Sequence, residues 1–168
     1  LASFKIIQVV GFKNSGKTTL IETWIQLLAA KQLRSAVIKH HGHGGPLALP
    51  AREADSMRVL SAGAVSSIAC DGERVQLHTQ GRSPSLPDLL EMAKLAKPDV
   101  LFIEGYKEAD YPKVVLVREI GDWVELGKLS NIRGVIVHDG VKLDGAACIE
   151  RSDSQGISKL LHSWMDGE

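Results

Sequence analysis

The sequence predicts an α/β fold: a doubly wound, mainly parallel sheet of the phosphate-loop NTPase type, with an antiparallel β-hairpin as an extension. It predicts one nucleotide-binding domain over residues 1–168. Three observations carry this. An apolar, β-branched run, Ile6-Ile7-Gln8-Val9-Val10, leads into Gly11-Phe12-Lys13-Asn14-Ser15-Gly16-Lys17-Thr18, a full match to G-x-x-x-x-G-K-[ST]. Apolar residues at helical spacing follow at once. Strand-like and helix-like segments then alternate along the rest of the chain.

The first strand is apolar throughout except at Gln8, as a strand buried on both faces should be. In the helix after the loop, Leu20, Ile21, Trp24, Ile25, Leu27 and Leu28 form one stripe, opposite Glu22, Thr23 and Gln26. Ser35 to Lys39 reads as a second strand, running into the glycine-rich segment His40-His41-Gly42-His43-Gly44-Gly45-Pro46. Arg52 to Leu60 is helical and ends near Gly63. Ala64 to Cys70 and Arg74 to Thr79 are strand-like runs around Asp71-Gly72-Glu73, a hairpin signal. Ser85 to Ala96 is a helix with Ser85 as candidate cap, Pro87 in its first turn and Pro98 as its stop. Val100 to Ile103 suits a central strand. Lys113 to Arg118 and Gly134 to Val137 are further strands, and Ile157 to Trp164 is a closing helix.

The 20 basic and 20 acidic residues cancel, which excludes wholesale binding to nucleic acid or to a membrane surface. Cys70 and Cys148 form neither a C-x-x-C pair nor a disulfide framework. No apolar run approaches the ~20 residues of a membrane span, and no basic-then-apolar leader is present. The expectation is a soluble, cytoplasmic protein.

The loop predicts phosphate binding. Gly11 and Gly16 allow the backbone to turn, and successive N–H groups then face an anion at a helix N-terminus. Lys17 supplies a point charge for the β- and γ-phosphates, and the Thr18 hydroxyl is a ligand for Mg²⁺. In Asp99-Val100-Leu101-Phe102-Ile103-Glu104-Gly105 an apolar strand ends in a carboxylate and a glycine. Open α/β sheets bind ligands at this end of a strand. Glu104 is therefore the candidate partner for Mg²⁺, and Gly105 would let backbone approach the terminal phosphate. The alternative is a surface acid at a strand end.

Lys39, His40, His41 and His43 admit three readings: contacts to phosphate or to a partner's ligand, a Zn²⁺ or Ni²⁺ site, or a solvated loop. Asp55 and Arg58 lie one helical turn apart. They either form a surface i,i+3 bridge or face the nucleotide, Asp55 towards the metal and Arg58 towards phosphate. Asp139, in Val137-His138-Asp139-Gly140, either accepts bonds from guanine N1–H and N2–H₂ or is a turn aspartate.

Gly11 to Thr19, Lys39 to His43, Ala54-Asp55-Ser56-Met57-Arg58-Val59-Leu60-Ser61-Ala62-Gly63-Ala64 and Phe102-Ile103-Glu104-Gly105-Tyr106-Lys107, in this order, resemble the molybdopterin-guanine dinucleotide biosynthesis adapter family, MobB. The resemblance runs from about residue 4 to residue 140. It implies a GTP-binding protein with weak GTPase activity that assists the guanylyltransferase attaching GMP to molybdopterin. It implies phosphate contacts from Asn14, Ser15, Gly16, Lys17, Thr18 and Thr19, with Asp55 and Glu104 beside the metal and terminal phosphate. Lys17, Glu104 and Asp55 are thus the candidate catalytic residues, and GTP and Mg²⁺ the expected ligands. It further implies a homodimer with β-structure at the contact, with the guanylyltransferase as partner and molybdopterin as a further candidate ligand. The chain departs from relatives at Gly44-Gly45-Pro46, where many carry an aromatic and an acidic residue, and it has no N-K-x-D guanine motif.

Two other functions fit the same loop. A small-molecule kinase would need an arginine-rich lid, for which Arg74 and Arg82 are thin support. A metallochaperone GTPase would use His40, His41 and His43. Arg52, Arg58 and Arg82 are candidates for an arginine finger.

Overall fold

The computed structural model describes residues 4–42, 47–52 and 54–166. The chain divides into two compact units, Leu1–Gly42 with Leu90–Glu168, and His43–Leu89.

The first unit is built on β1 (Lys5–Gly11), with α1 (Lys17–Ala29) and β2 (Ser35–Lys39) after it. Its later elements are β5 (Val100–Glu104), β6 (Lys113–Val117), α4 (Ile120–Leu126), β7 (Ile132–Val137), β8 (Ile149–Glu150) and α5 (Ser154–Asp166). Six strands form one sheet in the order β2-β5-β1-β6-β7-β8, and every pairing is parallel. This is the predicted doubly wound sheet.

Alternation along the strands gives each face its own core. Ile7 and Val9 of β1 join Phe102, Val114 and Ile136 beneath α1 and α5. Trp24 anchors that face. It is fully buried, lies 6.0 Å from the Phe102 ring and donates its indole N–H to the Ile157 carbonyl at 3.2 Å. Val10 faces the other way and packs with Val115, Val117, Val135 and Leu126 of α4. Helix α4 and strand β8 have no counterpart in the sequence expectation. Helix α4 is one short segment with Gly121 inside it, and β8 has two residues, so neither shows a full hydrophobic period.

The polar break at Gln8 has a topological cause. Strands β5 and β6 flank β1, so the connection 105–112 must pass over it. Parallel crossovers ordinarily take about a dozen residues or more. Here β5 ends opposite Val9 and β6 begins opposite Gln8, so the chain needs to step back very little. Gly105 (φ +91°) and Tyr106 (φ +51°) reverse the backbone in the left-handed region. Gln8, fully buried, donates its side-chain amide to the carbonyls of Gly105 (2.8 Å) and Tyr106 (2.6 Å). At the far end of the crossover, buried Lys113 donates to the Ala109 carbonyl at 2.8 Å, and burial lowers its pKa.

The second unit contains α2 (Asp55–Ser61), β3 (Ser66–Cys70) and β4 (Val75–Thr79). The strands pair antiparallel as a separate two-stranded sheet. Their turn is the expected one: Asp71 Oδ1 accepts N–H bonds from Glu73 and Arg74, and Gly72 takes φ +94°. The Gln80 amide donates to the carbonyls of Leu60 and Ala64, tying helix to hairpin. Helix α3 (Leu86–Lys94) starts at a reciprocal cap, in which Ser85 Oγ accepts the Asp88 N–H while Asp88 accepts the Ser85 N–H.

Replacing Gln8 by Leu leaves two carbonyls of the crossover without their donor. The expected cost is about 1–3 kcal/mol, read as a lower urea midpoint. An unchanged midpoint would show that the crossover does not depend on this amide.

Candidate functional site

The loop between β1 and α1 takes its shape from close approach of backbone. A Cβ on Gly11 would lie 2.6 Å from Ser15 Oγ and 2.8 Å from the Leu116 carbonyl oxygen. Gly16 sits at φ +90° immediately before α1, and Asn14 is left-handed at φ +61°. No side chain caps α1, so its first-turn N–H groups face the loop's concavity. Ser15 is 1% exposed and its hydroxyl has no hydrogen-bond partner among the described residues.

Four predicted side chains meet at the mouth of this loop. Parallel registers set Val9, Glu104 and Lys39 side by side at the carboxyl ends of β1, β5 and β2. The Thr18 hydroxyl is 3.0 and 3.1 Å from the Glu104 carboxylate oxygens. Lys39 Nζ donates to Thr18 Oγ1 at 3.0 Å and lies 3.4 Å from Glu104 Oε2. Lys17 Nζ donates to the carbonyls of Gly11 (3.0 Å) and Phe12 (2.7 Å). Its pKa is lowered, chiefly by burial and further by Lys39 and Arg118, while Glu104 opposes the shift. Glu104 is only 6% exposed, so it is not the surface acid of the alternative reading. Thr18 and Glu104 together offer hard oxygen donors, the set a Mg²⁺ ion takes.

Around this cluster stand residues that the motif does not announce. Arg118, at the end of β6, donates through Nε and Nη2 to both oxygens of buried Asp122, each at 2.8 Å, and through Nη1 to the Lys13 carbonyl at 3.1 Å. Its guanidinium lies 5.4 Å from the Phe12 ring, with Lys107 at 5.8 Å. The phosphate loop is thus braced from β6. The Arg118 hydrogen bonds hold the Asp122 carboxyl below the usual carboxylate range, against the burial that raises it. The i,i+4 spacing of Arg118 and Asp122 was the available signal. His40 stacks on Tyr106 with ring centroids 4.4 Å apart, and a Cβ on Gly105 would lie 3.1 Å from His40 Cβ. Gly105 therefore lets the crossover pack against His40.

On the other flank of the loop, Asp139 Oδ1 accepts the Ser152 N–H at 3.0 Å and Glu150 accepts the Gly140 N–H at 3.3 Å. The turn after β7 is thus tied to the turn after β8. Arg151, absent from the sequence expectations, stands beside Gly16. Thr19 follows Thr18 on the exposed side of α1.

Asp55 and Arg58 belong to the second unit, where they pair with each other at 3.1 Å as an exposed i,i+3 bridge. His40 and His41 are exposed, and His43 lies outside the described residues. Among the described residues no group of three His, Cys, Asp or Glu side chains is placed to hold a metal. Cys70 and Cys148 are free, and no helix among those residues is long and apolar enough to cross a membrane.

Residues 6–138 match the family model described as molybdopterin guanine dinucleotide synthesis protein B, MobB. Over 133 residues the chain is 40% identical to the probable molybdopterin-guanine dinucleotide biosynthesis adapter protein of Bacillus subtilis (strain 168), covering 79% of this chain and 76% of that protein. It is 29% identical over 165 residues to the corresponding adapter protein of Escherichia coli (strain K12), covering 95% and 93%. The crystal structure of Bacillus subtilis MobB superposes with a TM-score of 0.79 at 33% identity, covering 98% of this chain and 100% of that one.

The Asp122 brace has a pH signature. A carboxylate depressed in the folded state contributes stability that is full above its unfolded pKa of about 3.9 and is lost as pH falls through the folded value. Asp122→Asn should therefore lower stability at neutral pH. Its deficit should shrink as the medium is acidified below about pH 4, followed by urea unfolding across pH. A deficit independent of pH would contradict the ion pair.

Proposed function

The chain belongs to the molybdopterin guanine dinucleotide synthesis protein B family, and from that premise we propose that it is a GTP-binding adapter with slow GTPase activity. It assists the guanylyltransferase that attaches GMP to molybdopterin. The observation that carries the nucleotide part is the meeting of Lys17, Thr18, Lys39 and Glu104 at the mouth of the loop.

In this reading the N–H groups from Asn14 to Thr19 cradle the phosphate chain, and Ser15, Gly16 and Lys17 form the tightest part of the cradle. Lys17 exchanges its own loop carbonyls for the β- and γ-phosphates. The negative charge of an incoming anion also opposes the pKa depression that burial imposes on it. Thr18 and Glu104 would hold Mg²⁺, which when bound neutralises charge on the β- and γ-oxygens. Lys39 keeps the Glu104 carboxylate oriented and adds positive charge near the terminal phosphate. Hydrolysis is slow because the nearest candidates for orienting water are engaged elsewhere. Gln8 is committed to the crossover backbone, and Glu104 to Thr18 and Lys39.

The hairpin supports a homodimer. Ile68 pairs with Leu77 and Cys70 with Val75 on one face of the ribbon. Ile68 and Val75 are 69% and 70% exposed, a lone apolar ribbon face of the sort a second copy covers.

Lys17→Ala should abolish binding of a non-hydrolysable GTP analogue in isothermal titration while leaving the melting temperature unchanged; retained binding would remove the loop from the site. Titration with the ATP counterpart should give weaker binding, and equal affinity would withdraw the assignment to GTP. Ile68→Asp should convert a dimer to a monomer in analytical ultracentrifugation, whereas an unaltered dimer would place the contact elsewhere.

A further inference from the structure

We infer that Arg151 contacts the phosphate chain at its α-phosphate end, an assignment that rests on the nucleotide reading above. Thr18, Glu104 and Lys39 occupy the β5–β2 flank of the loop. Thr18 and Glu104 would hold a metal there, and it would supply positive charge to the terminal phosphates, which in this reading lie on that flank. The α-phosphate and nucleoside must then leave towards the opposite flank, where the turns after β7 and β8 converge.

Arg151 stands on that flank. A Cβ on Gly16 would lie 2.6 Å from its Nη2 and 2.7 Å from Cζ, so the guanidinium rests on the residue just before α1. Together with Gly16, Thr19, Thr23 and Leu116 it lines a small cleft beside the loop. Its backbone is fixed, since Arg151 N–H donates to the Val137 carbonyl at 2.8 Å and the neighbouring Ser152 N–H to Asp139 at 3.0 Å. Its side chain is exposed and belongs to none of the ion pairs among the described residues. The side-chain contact it makes is to His138 Nε2, 3.2 Å from Nη1. A guanidinium carries five N–H donors in a planar fork suited to phosphate, and here most of them stay available.

The other arginines are placed differently. Arg118 is engaged by Asp122, and of the sequence candidates for a finger, Arg58 pairs with Asp55 and Arg82 with Asp88. Arg151 also lies beyond the 6–138 segment that the family model matches, so that match carries no information about it.

The test is calorimetric titration of wild type, Arg151→Ala and Arg151→Lys with GDP, a non-hydrolysable GTP analogue and inorganic tripolyphosphate. The expected result is a loss of roughly tenfold in affinity for all three probes in Arg151→Ala, partly recovered in Arg151→Lys. The melting temperature should not change, because the side chain is exposed. Unchanged affinity overturns the assignment. A loss for the GTP analogue alone moves Arg151 to the terminal phosphate and overturns it. A loss for both nucleotides but not tripolyphosphate makes it a nucleoside contact and also overturns it. If wild type binds none of the probes while folded, the nucleotide reading itself fails and the Arg151 assignment falls with it.

Discussion

A carboxylate taken out of water at the end of a central strand has to be compensated, and around Glu104 that requirement organises the site. Burying an unpaired charge is costly enough that such a group either neutralises or gathers partners. Glu104 gathers a hydroxyl from the first turn of α1 and an ammonium from the end of β2. Glu104 and its two partners come from three segments that the parallel registers of β1, β5 and β2 bring level. The sheet is therefore the device that makes a buried acid tolerable, and the cluster follows from it.

Rigidity around the loop comes from a different source. The loop itself is glycine-permitted backbone with a buried, unpartnered serine, and such a segment has few internal bonds to hold its shape. Support arrives from behind: Arg118 reaches the Lys13 carbonyl while its fork is filled by Asp122, and Phe12 lies beside both Arg118 and Lys107. Gln8 and Lys113 do the same for the crossover that follows Glu104. The loop and the Glu104 cluster are thereby held by neighbours that lie outside them.

The extent to which the sequence disclosed this differs by kind of feature. The loop, its strand and its helix were legible because the motif and both periodicities coincide over residues 6–28. Glu104 was legible as a carboxylate closing a wholly apolar strand. The hairpin was legible from Asp71-Gly72, although its separation from the main sheet was not, since local turn chemistry says nothing about which edge a ribbon joins. Helix α4 and strand β8 are too short to carry a period. Arg118 and Asp122 stand four residues apart, but the reach of Arg118 to the Lys13 carbonyl and the place of Arg151 beside Gly16 depend on registers between segments far apart in the chain, which no local pattern encodes. Gln8 stood out as a polar break, but its purpose required knowing that the chain crosses β1 there.

The strand order has a consequence for how the protein is made. Strand β1 pairs with β5 through Lys5 and Val100, roughly a hundred residues apart, and with β6 further on still. During synthesis the phosphate loop and α1 leave the ribosome long before either neighbour of β1 exists. An apolar central strand with both edges open is a substrate for chaperones and for misassociation. Pairings of such sequence separation also form slowly. The loop thus gains its surroundings only once β5 and β6 exist, and a truncated nascent chain ending before residue 100 exposes the motif without Glu104 or Arg118 beside it.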